Sequence, residues 1–382
     1  MAWNWQQPDW PNFSWNPSRL AKAEERFIRS GGVFVGSVQH LSDEDRDRLS
    51  VEALSEEALT TSRIEGEILD RESVQSSIRR ELGLVTDRRE VRPAERGIGE
   101  LMVDVCRTFH DRLDEATVLR WHQMVMLGRT DVRDIGRYRS HDEPMQVVSG
   151  RIGDPTIHFE APPSSRVSGE MQRFIAWFNR TSPSGAEPLP ALARAGIAHL
   201  HFESIHPFED GNGRIGRAIS EKALAQCFGR PTLTALAATI LLRRREYYDA
   251  LEAANKHNEI TDWLAWFGAI CLEAQERTLA LVEFLIDKTR FLRRFQDNVN
   301  ARQLAALLRM LREGPAGFEG GMNAAKYIRI TKTSSATATR DLGELVELGA
   351  LTRSGERRGT RYHLAIPPRS IPRFSIDDAG DV

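Results

Sequence analysis

The sequence predicts a mostly α-helical chain with one short β-hairpin in its middle and a winged helix near its C-terminus. Three observations lead there. From Pro17 onward apolar residues recur close to helical spacing, with acids and bases between them. The pattern changes at 134–163, DIGRYRSHDEPMQVVSGRIGDPTIHFEAPP, where Met145–Ser149 and Thr156–Phe159 are short β-like runs separated by the hairpin signal GRIGD. Near the end, NARQLAALLRMLREG, AAKYIRI, SSATATRDLGELVELG and ALTRSGERRGTRYHL read as three helices followed by a basic hairpin.

The elements follow in order. The opening MAWNWQQPDWPNFSW holds Trp3, Trp5, Trp10 and Trp15 and reads as an irregular arm pinned to the body by its indoles. LSDEDRDRLSVEALSEEALTTSRIEGEILD is a helix that Gly66 ends or bends. RPAERGIGELMVDVCRTFHDRL and DEATVLRWHQMVMLG continue the helical text, and SGEMQRFIAWFNR resumes it after the hairpin. TSPSGAEPLP is a loop. ALARAGIAHLHFESI leads into IHPFEDGNGRIGRA, and EKALAQCFG leads out of it. A long helix is expected over roughly Ile260–Arg294, and Ser334 or Ser335 caps the third helix of the terminal module. The domains drawn on this basis are 1–95 (arm and N-terminal helices), 96–295 (core) and 296–382 (winged helix and tail).

Composition sets the class. The 382 residues carry 52 Lys plus Arg against 54 Asp plus Glu, a net charge of −2, so nothing global points to nucleic acid or membrane. Cys106, Cys227 and Cys271 are odd in number and far apart, which fits free thiols in a reducing compartment. There is no signal-peptide pattern and no run long enough to span a bilayer, and a cytoplasmic protein is expected.

The stretch IHPFEDGNGRIGRA concentrates the chemistry. A three-histidine metal site is unfavourable, because on a helix His199 and His201 are about 200° apart and His206 stands about 10 Å along the axis from His199. In DGNGR two glycines allow a sharp turn that exposes backbone N–H groups, and the following helix points its N-terminus there, which suits an anion. Arg214 and Arg217 are three apart on one face in the first turn, where the helix dipole disfavours cations. An anion carrying several charges explains them, and a polyphosphate fits. Asp210 beside phosphates calls for a cation such as Mg2+. His206, four residues earlier, can take the proton of an attacking hydroxyl. Together they describe a phosphoryl- or nucleotidyl-transfer site.

HPFEDGNGRIGR also resembles the Fic family motif at every fixed position. Fic proteins are mostly helical and typically move AMP from ATP to a protein hydroxyl. The resemblance implies that His206 is the base and Asp210 the Mg2+ ligand, that Gly211, Asn212 and Gly213 form an anion hole, and that Arg214 and Arg217 hold the outer phosphates. GRYR at 136–139 and the hairpin after it resemble the family's target-docking flap. TSRIEG at 61–66 resembles its inhibitory-helix motif, which implies that Glu65 pairs with Arg217 in the place of the γ-phosphate. The tryptophan arm and winged helix resemble those of a larger bacterial Fic subgroup.

The resemblance therefore implies an autoinhibited protein adenylyltransferase, with ATP and a protein bearing a Ser, Thr or Tyr hydroxyl as substrates. Removal of AMP, or transfer of phosphate, UMP or phosphocholine, are rivals at the same site. A homodimer is an allowed assembly. A rival of another class is DNA binding by the winged helix, where 326–361 holds eight basic residues against four acidic ones. Thr337, Thr339 and Arg340 would face a groove, with Arg357, Arg358 and Arg361 on the wing. Winged helices also dock proteins, so DNA binding is not the leading reading. Tyr247, Tyr248 and Asn255 follow the site on one helix and either line an adenine pocket or are core aromatics with a surface amide.

Overall fold

The computed structural model describes residues 2–39, 42–85, 89–151, 154–231 and 234–382. The chain divides into two compact units, Met1–Gln275 with Arg373–Val382, and Glu276–Pro372. These limits differ from the expected boundaries for two reasons. The last ten residues return to the first unit, where Phe374 and Ile376 are buried in its core. The long helix also continues without a break past 275.

The first unit is helical. Its elements are α1 (Pro17–Gln39), α2 (Asp43–Ile64), α3 (Arg71–Glu81), α4 (Pro93–Arg107), α5 (Glu115–Val125), β1 (Gln146–Arg151), β2 (Asp154–Glu160), α6 (Ser164–Arg180), α7 (Ala191–Ile205), α8 (Asn212–Phe228), α9 (Leu236–Leu242), α10 (Arg244–Ala254) and the start of α11 (Thr261–Phe295). The strands β1 and β2 pair antiparallel, with Gln146 opposite Glu160 and Ser149 opposite Thr156. The tip of the GRIGD signal, 152–153, lies outside the described residues.

The centre of this unit is α7, every residue of which is buried. That explains why its text lacks an amphipathic period: a helix apolar all round has no solvent face. Small residues let neighbours approach it. A Cβ at Gly196 would stand 2.7 Å from Leu264 Cδ2 of α11, and the neighbouring Trp263 donates to the Gly196 carbonyl at 2.9 Å. Pro190 gives α7 no side-chain cap. Glu24 of α1 does so instead, accepting from the N–H groups of Leu192 and Ala193 at 3.0 and 2.9 Å. His199 and His201 leave α7 in different directions. His199 is bonded to Tyr247 at 2.8 Å and Ser220 at 3.2 Å, while His201 is ringed by Trp10, Phe13, Phe174 and Trp177. Burial pushes both imidazoles down to about 3, so both are neutral at pH 7.

The tryptophan arm is fastened at named points. Trp5 donates to the Glu160 carbonyl at 2.6 Å and Trp10 to Glu170 at 3.0 Å. The buried Asn4 donates to Ser204 at 2.8 Å, Ser204 donates on to Asn255 at 3.1 Å, and the Asn4 N–H meets the Asn255 carbonyl at 2.7 Å. The arm is thus tied to the last turn of α7.

The second unit holds the end of α11, then α12 (Ala301–Leu311), α13 (Ala324–Thr331), α14 (Ser335–Glu347), β3 (Leu351–Ser354) and β4 (Arg361–Leu364). Ser334 caps α14, and Asn300 with Gln303 forms a capping box on α12. Its core includes Phe291, Leu307, Tyr327, Leu342 and Tyr362. Asp341, fully buried, accepts from Arg302 at 3.0 Å and Tyr327 at 2.9 Å. On α14 the Thr339 hydroxyl is spent on the Ser335 carbonyl, and exposed Arg340 lies 3.7 Å from Glu344. The side chain of Arg358 lies outside the described residues. Among the described residues no helix is long and apolar enough to cross a membrane.

Asn4→Ala is expected to destabilise the protein by about 1–3 kcal/mol, because it removes a buried partner of Ser204. Truncation of the exposed Arg29 should cost under about 0.5 kcal/mol. Denaturant midpoints of the two variants check this.

Candidate active site

The site is built on the turn between α7 and α8. His206 closes α7 in a left-handed conformation, φ 49°, ψ 60°, a backbone state that costs a non-glycine residue about 1–3 kcal/mol unless its surroundings enforce it. Arg139 enforces it. Its buried guanidinium donates to the His206 carbonyl at 2.8 Å, to the Pro162 carbonyl at 2.5 Å and to Ser164 at 3.0 Å, while its N–H meets the Pro207 carbonyl at 2.9 Å. One side chain therefore joins the His206 turn to the foot of the hairpin. Burial lowers Arg139 to about 10, still charged at pH 7.

The His206 ring is mostly buried, and burial, helped by the Arg139 charge, lowers it to about 4. It is neutral at pH 7. Its Nδ1 lies 3.3 Å from the Glu203 carbonyl; a carbonyl only accepts, so Nδ1 carries the proton and Nε2 is left as the acceptor. Glu203, one turn earlier on α7, has a carboxylate oxygen 3.9 Å from the same Nδ1. Burial first, with Glu65 adding like charge against the pull of Arg217, raises Glu203 to about 8, so it is protonated at pH 7.

The DGNGR turn is tighter than its text suggests. Gly211 has φ 84°, and a Cβ there would stand 2.9 Å from Met126 Cε. Asn212 does not aim its amide at a ligand. It accepts from the Phe208 N–H at 3.0 Å and donates to the Phe208 carbonyl at 2.8 Å, closing the loop on itself. What Asn212 and Gly213 can offer an anion is backbone N–H, at a helix start where Gly211 gives no side-chain cap. Arg214 is in the first turn of α8, but Arg217 is in the second, because the helix starts at Asn212 and not after the turn.

Both arginines are buried, at 4% and 2% exposure. Each is met by the end of α2. Arg217 donates to Glu65 at 2.6 Å, to the Thr61 hydroxyl at 2.7 Å and to the Thr61 carbonyl at 3.1 Å. Burial opposes the charge on Arg217, and the surrounding groups, Glu65 first, together more than offset that, so it stays a cation. Arg214 donates to Glu67 at 2.8 Å. Gly66, with φ 86°, makes the turn that brings Glu67 back toward α8. A Cβ at Gly213 would collide with the Glu65 carboxylate. Among the described residues Arg217 Nη1 and Arg214 Nε are buried without a hydrogen-bond partner, donors that a multiply charged anion would satisfy.

Asp210 sits at the rim. It accepts from Arg129 at 2.9 Å and lies 3.6 Å from Arg214. The cation expected beside it is thus supplied by arginine here. Its carboxylate is more than a third exposed, and no group of three or more metal-type side chains is found among the described residues. This donor set fits an ion such as Mg2+ that keeps its waters and arrives with phosphate oxygens, not one held in a protein cage.

The base-reading candidates separate. Tyr247 is buried and bonded to His199, Tyr248 is 40% exposed with Arg244 5.6 Å over its ring, and Asn255 is buried and engaged with Ser204 and Asn4. The sequence reading missed Arg129, Arg139, Glu67 and Glu203 as site residues. Glu67 and Glu203 had a local signal, each within one turn of a recognised residue. Arg129 and Arg139 act across the fold and had none beyond GRYR.

Comparisons agree with this geometry. The profile of the Fic/DOC family matches residues 112–224, and that of a domain of unknown function, DUF4172, matches residues 3–84. The protein adenylyltransferase fic-1 of Caenorhabditis elegans is 29% identical over 146 residues, 38% of this chain and 25% of that protein. The protein adenylyltransferase Fic of Nematostella vectensis is 27% identical over 183 residues, 46% of this chain and 37% of that protein. The chain thus spans a quarter to about two-fifths of the length of these relatives. Among solved structures, a Fic family protein from Desulfovibrio desulfuricans G20 covers 91% of this chain and 97% of its own, with a TM-score of 0.51 and 21% identity. A Fic domain containing signaling protein from Bacteroides thetaiotaomicron VPI-5482 covers 71% of this chain and 98% of its own, with a TM-score of 0.52 and 18% identity. With its histidine turn, glycine-bounded helix start and paired arginines in place, residues 112–224 of this chain are a Fic domain.

Proposed function

We propose that the protein is a nucleotidyltransferase that moves AMP from ATP to a hydroxyl of a protein, and that the end of α2 restrains it. The observation that carries this reading is the pair of buried arginines on α8, both already answered by carboxylates just past the end of α2, Glu65 and Glu67. Two buried guanidiniums one turn apart near a helix start call for anions, and breaking such a buried ion pair without a substitute costs about 3–5 kcal/mol. The β- and γ-phosphates of ATP are chemically suited to take over from Glu67 and Glu65.

In that reading Asn212 and Gly213 bind phosphate through backbone N–H, and Arg214 and Arg217 hold the outer phosphates. His206 Nε2 accepts the proton of the incoming hydroxyl as its oxygen attacks the α-phosphorus. Arg139 keeps His206 in place, and the α-phosphate parts from pyrophosphate. Asp210 would hold Mg2+, whose charge neutralises the phosphate oxygens when it is bound. Tyr248, exposed on α10, is the candidate to face the base, while the Asn255 side chain is engaged with Ser204. The basic hairpin of the second unit is assigned to protein contacts in preference to DNA.

The chemistry is tested with ATP labelled at the α- or the γ-phosphate. Protein-bound label from the α position alone supports AMP transfer; label from the γ position, or from neither, overturns it. His206→Ala should lower the rate about 10²–10⁴-fold while ATP still binds. Because His206 works as a neutral base with its pKa near 4, kcat/KM should stay level from pH 7 to about 5 and fall as pH drops through about 4. A fall centred on the ordinary 6.5 would contradict its burial. Glu65→Gly should raise the rate about tenfold or more, since a freed Arg217 can hold the γ-phosphate and align the α-phosphorus with the hydroxyl. Arg217→Ala, which also loses the clamp, should not.

A further inference from the structure

The hairpin carries a second constellation that the transfer chemistry does not use. Ser149 Oγ lies 2.6 Å from His158 Nε2, and His158 Nδ1 lies 2.7 Å from a carboxylate oxygen of Glu252. The three residues come from β1, β2 and α10. Ser149 pairs with Thr156, and His158 is the extra residue of a bulge between the Val147–Phe159 and Val148–Ile157 pairs, which turns its ring to Ser149.

The order of protons follows from the partners. A carboxylate only accepts, so Nδ1 of the neutral ring carries the hydrogen and Nε2 presents its lone pair to Ser149, whose hydroxyl donates. Glu252 is steadied by Lys256 at 3.3 Å. The His158 hydrogen bond, chief among several causes, holds the Glu252 carboxyl below the usual range. Carboxylate, imidazole and hydroxyl in this sequence activate a serine oxygen. Fastening the hairpin to α10 would require only the His158–Glu252 bond. The exposed Ser149 adds nothing to that fastening.

Two ties link this group to the elements that carry the transfer site. Glu252 is one turn, about 6 Å, along α10 from Tyr248, and the adjacent Tyr247 bonds to His199 of α7. The foot of the hairpin is held by Arg139, which also holds His206. Ser149 stands three residue pairs above that foot, about 10 Å.

We propose that Ser149 is an acceptor of AMP within the protein itself, activated by His158 and Glu252. The inference rests on the AMP-transfer reading above. Ser149 Oγ forms a bond to the α-phosphorus of ATP and gives its proton to His158 Nε2. The bond between the α-phosphorus and the bridging oxygen breaks, and pyrophosphate leaves with that electron pair. His158 then releases the proton to solvent. The product is a serine phosphodiester, with no change of oxidation state.

The test uses the full-length Glu65→Gly protein with ATP and Mg2+, followed by peptide mapping by mass spectrometry. AMP should be found on the peptide holding Ser149. In that background Ser149→Ala should lower self-incorporation at least about tenfold, and His158→Gln should do the same. Ser149→Thr, which keeps a hydroxyl, should retain incorporation and carry it on the threonine. AMP on another residue with Ser149 unmodified, or full incorporation in Ser149→Ala, overturns the proposal. A Glu65→Gly protein that labels supplied protein hydroxyls but never itself overturns this site and leaves the transfer reading standing. One that places α-phosphate on no protein at all overturns both.

Discussion

Two buried cations at the start of α8 are the constraint around which this protein is arranged. Arg214 and Arg217 lie where a helix already presents positive charge, and neither reaches bulk water. They are tolerable only beside anions. The fold supplies Glu65 and Glu67 from one sharp turn at the end of α2. This demand explains the placement of α2. It packs against α8, α3, α4 and α9, and its Glu57 accepts the Ala237 N–H of α9 at 2.8 Å, so the carboxylates are delivered by an anchored helix and not a loose segment. A triphosphate would make the same electrostatic contribution, so in the proposed function nucleotide and helix would compete for one pair of charges.

The base side of the site is organised by a different cation. Arg139 is held by carbonyls of His206, Ile205 and Pro162 and by the Ser164 hydroxyl. It fixes the unusual backbone of His206 and couples it to the hairpin. Burial keeps His206 neutral and the adjacent Glu203 protonated, so the acceptor nitrogen is available without a charge to stabilise. The tryptophan arm reinforces the same turn through Asn4 and Ser204. The two halves of the site thus rest on separate supports, α2 for the phosphates and Arg139 with the arm for the base.

Much of this was legible in the text because it is local. The bounds of α7 and the break at Gly211 follow from Pro190 and the glycines; the Glu65–Arg217 contact, 152 residues apart, was expected only through the resemblance of two motifs to those of a family. The start of α8 was read as an anion site and does lack a side-chain cap, but the use of Asn212 was not foreseen. Its amide closes the turn, because a backbone that sharp leaves the Phe208 N–H and carbonyl in need of partners. The start of α8 was placed too late, since glycine and asparagine are poor helix formers until a fold requires them. Arg129 beside Asp210, and Arg139 beneath His206, are 81 and 67 residues from their partners. No period or spacing in one sequence encodes such pairings. The return of the last ten residues to the first unit was invisible for the same reason.

The central claim is that Glu65 occupies the place of the γ-phosphate, and the most direct measurement of it is the affinity of ATP relative to ADP, by calorimetry, in the wild type and in Glu65→Gly. If Glu65 holds Arg217, the third phosphate gains little in the wild type and the two nucleotides bind alike. Once the carboxylate is removed, a hydrogen bond to a charged group worth about 1.5–3 kcal/mol becomes available, and ATP should bind roughly 10–100-fold more tightly than ADP. An ATP preference of the same size in both proteins would contradict the account.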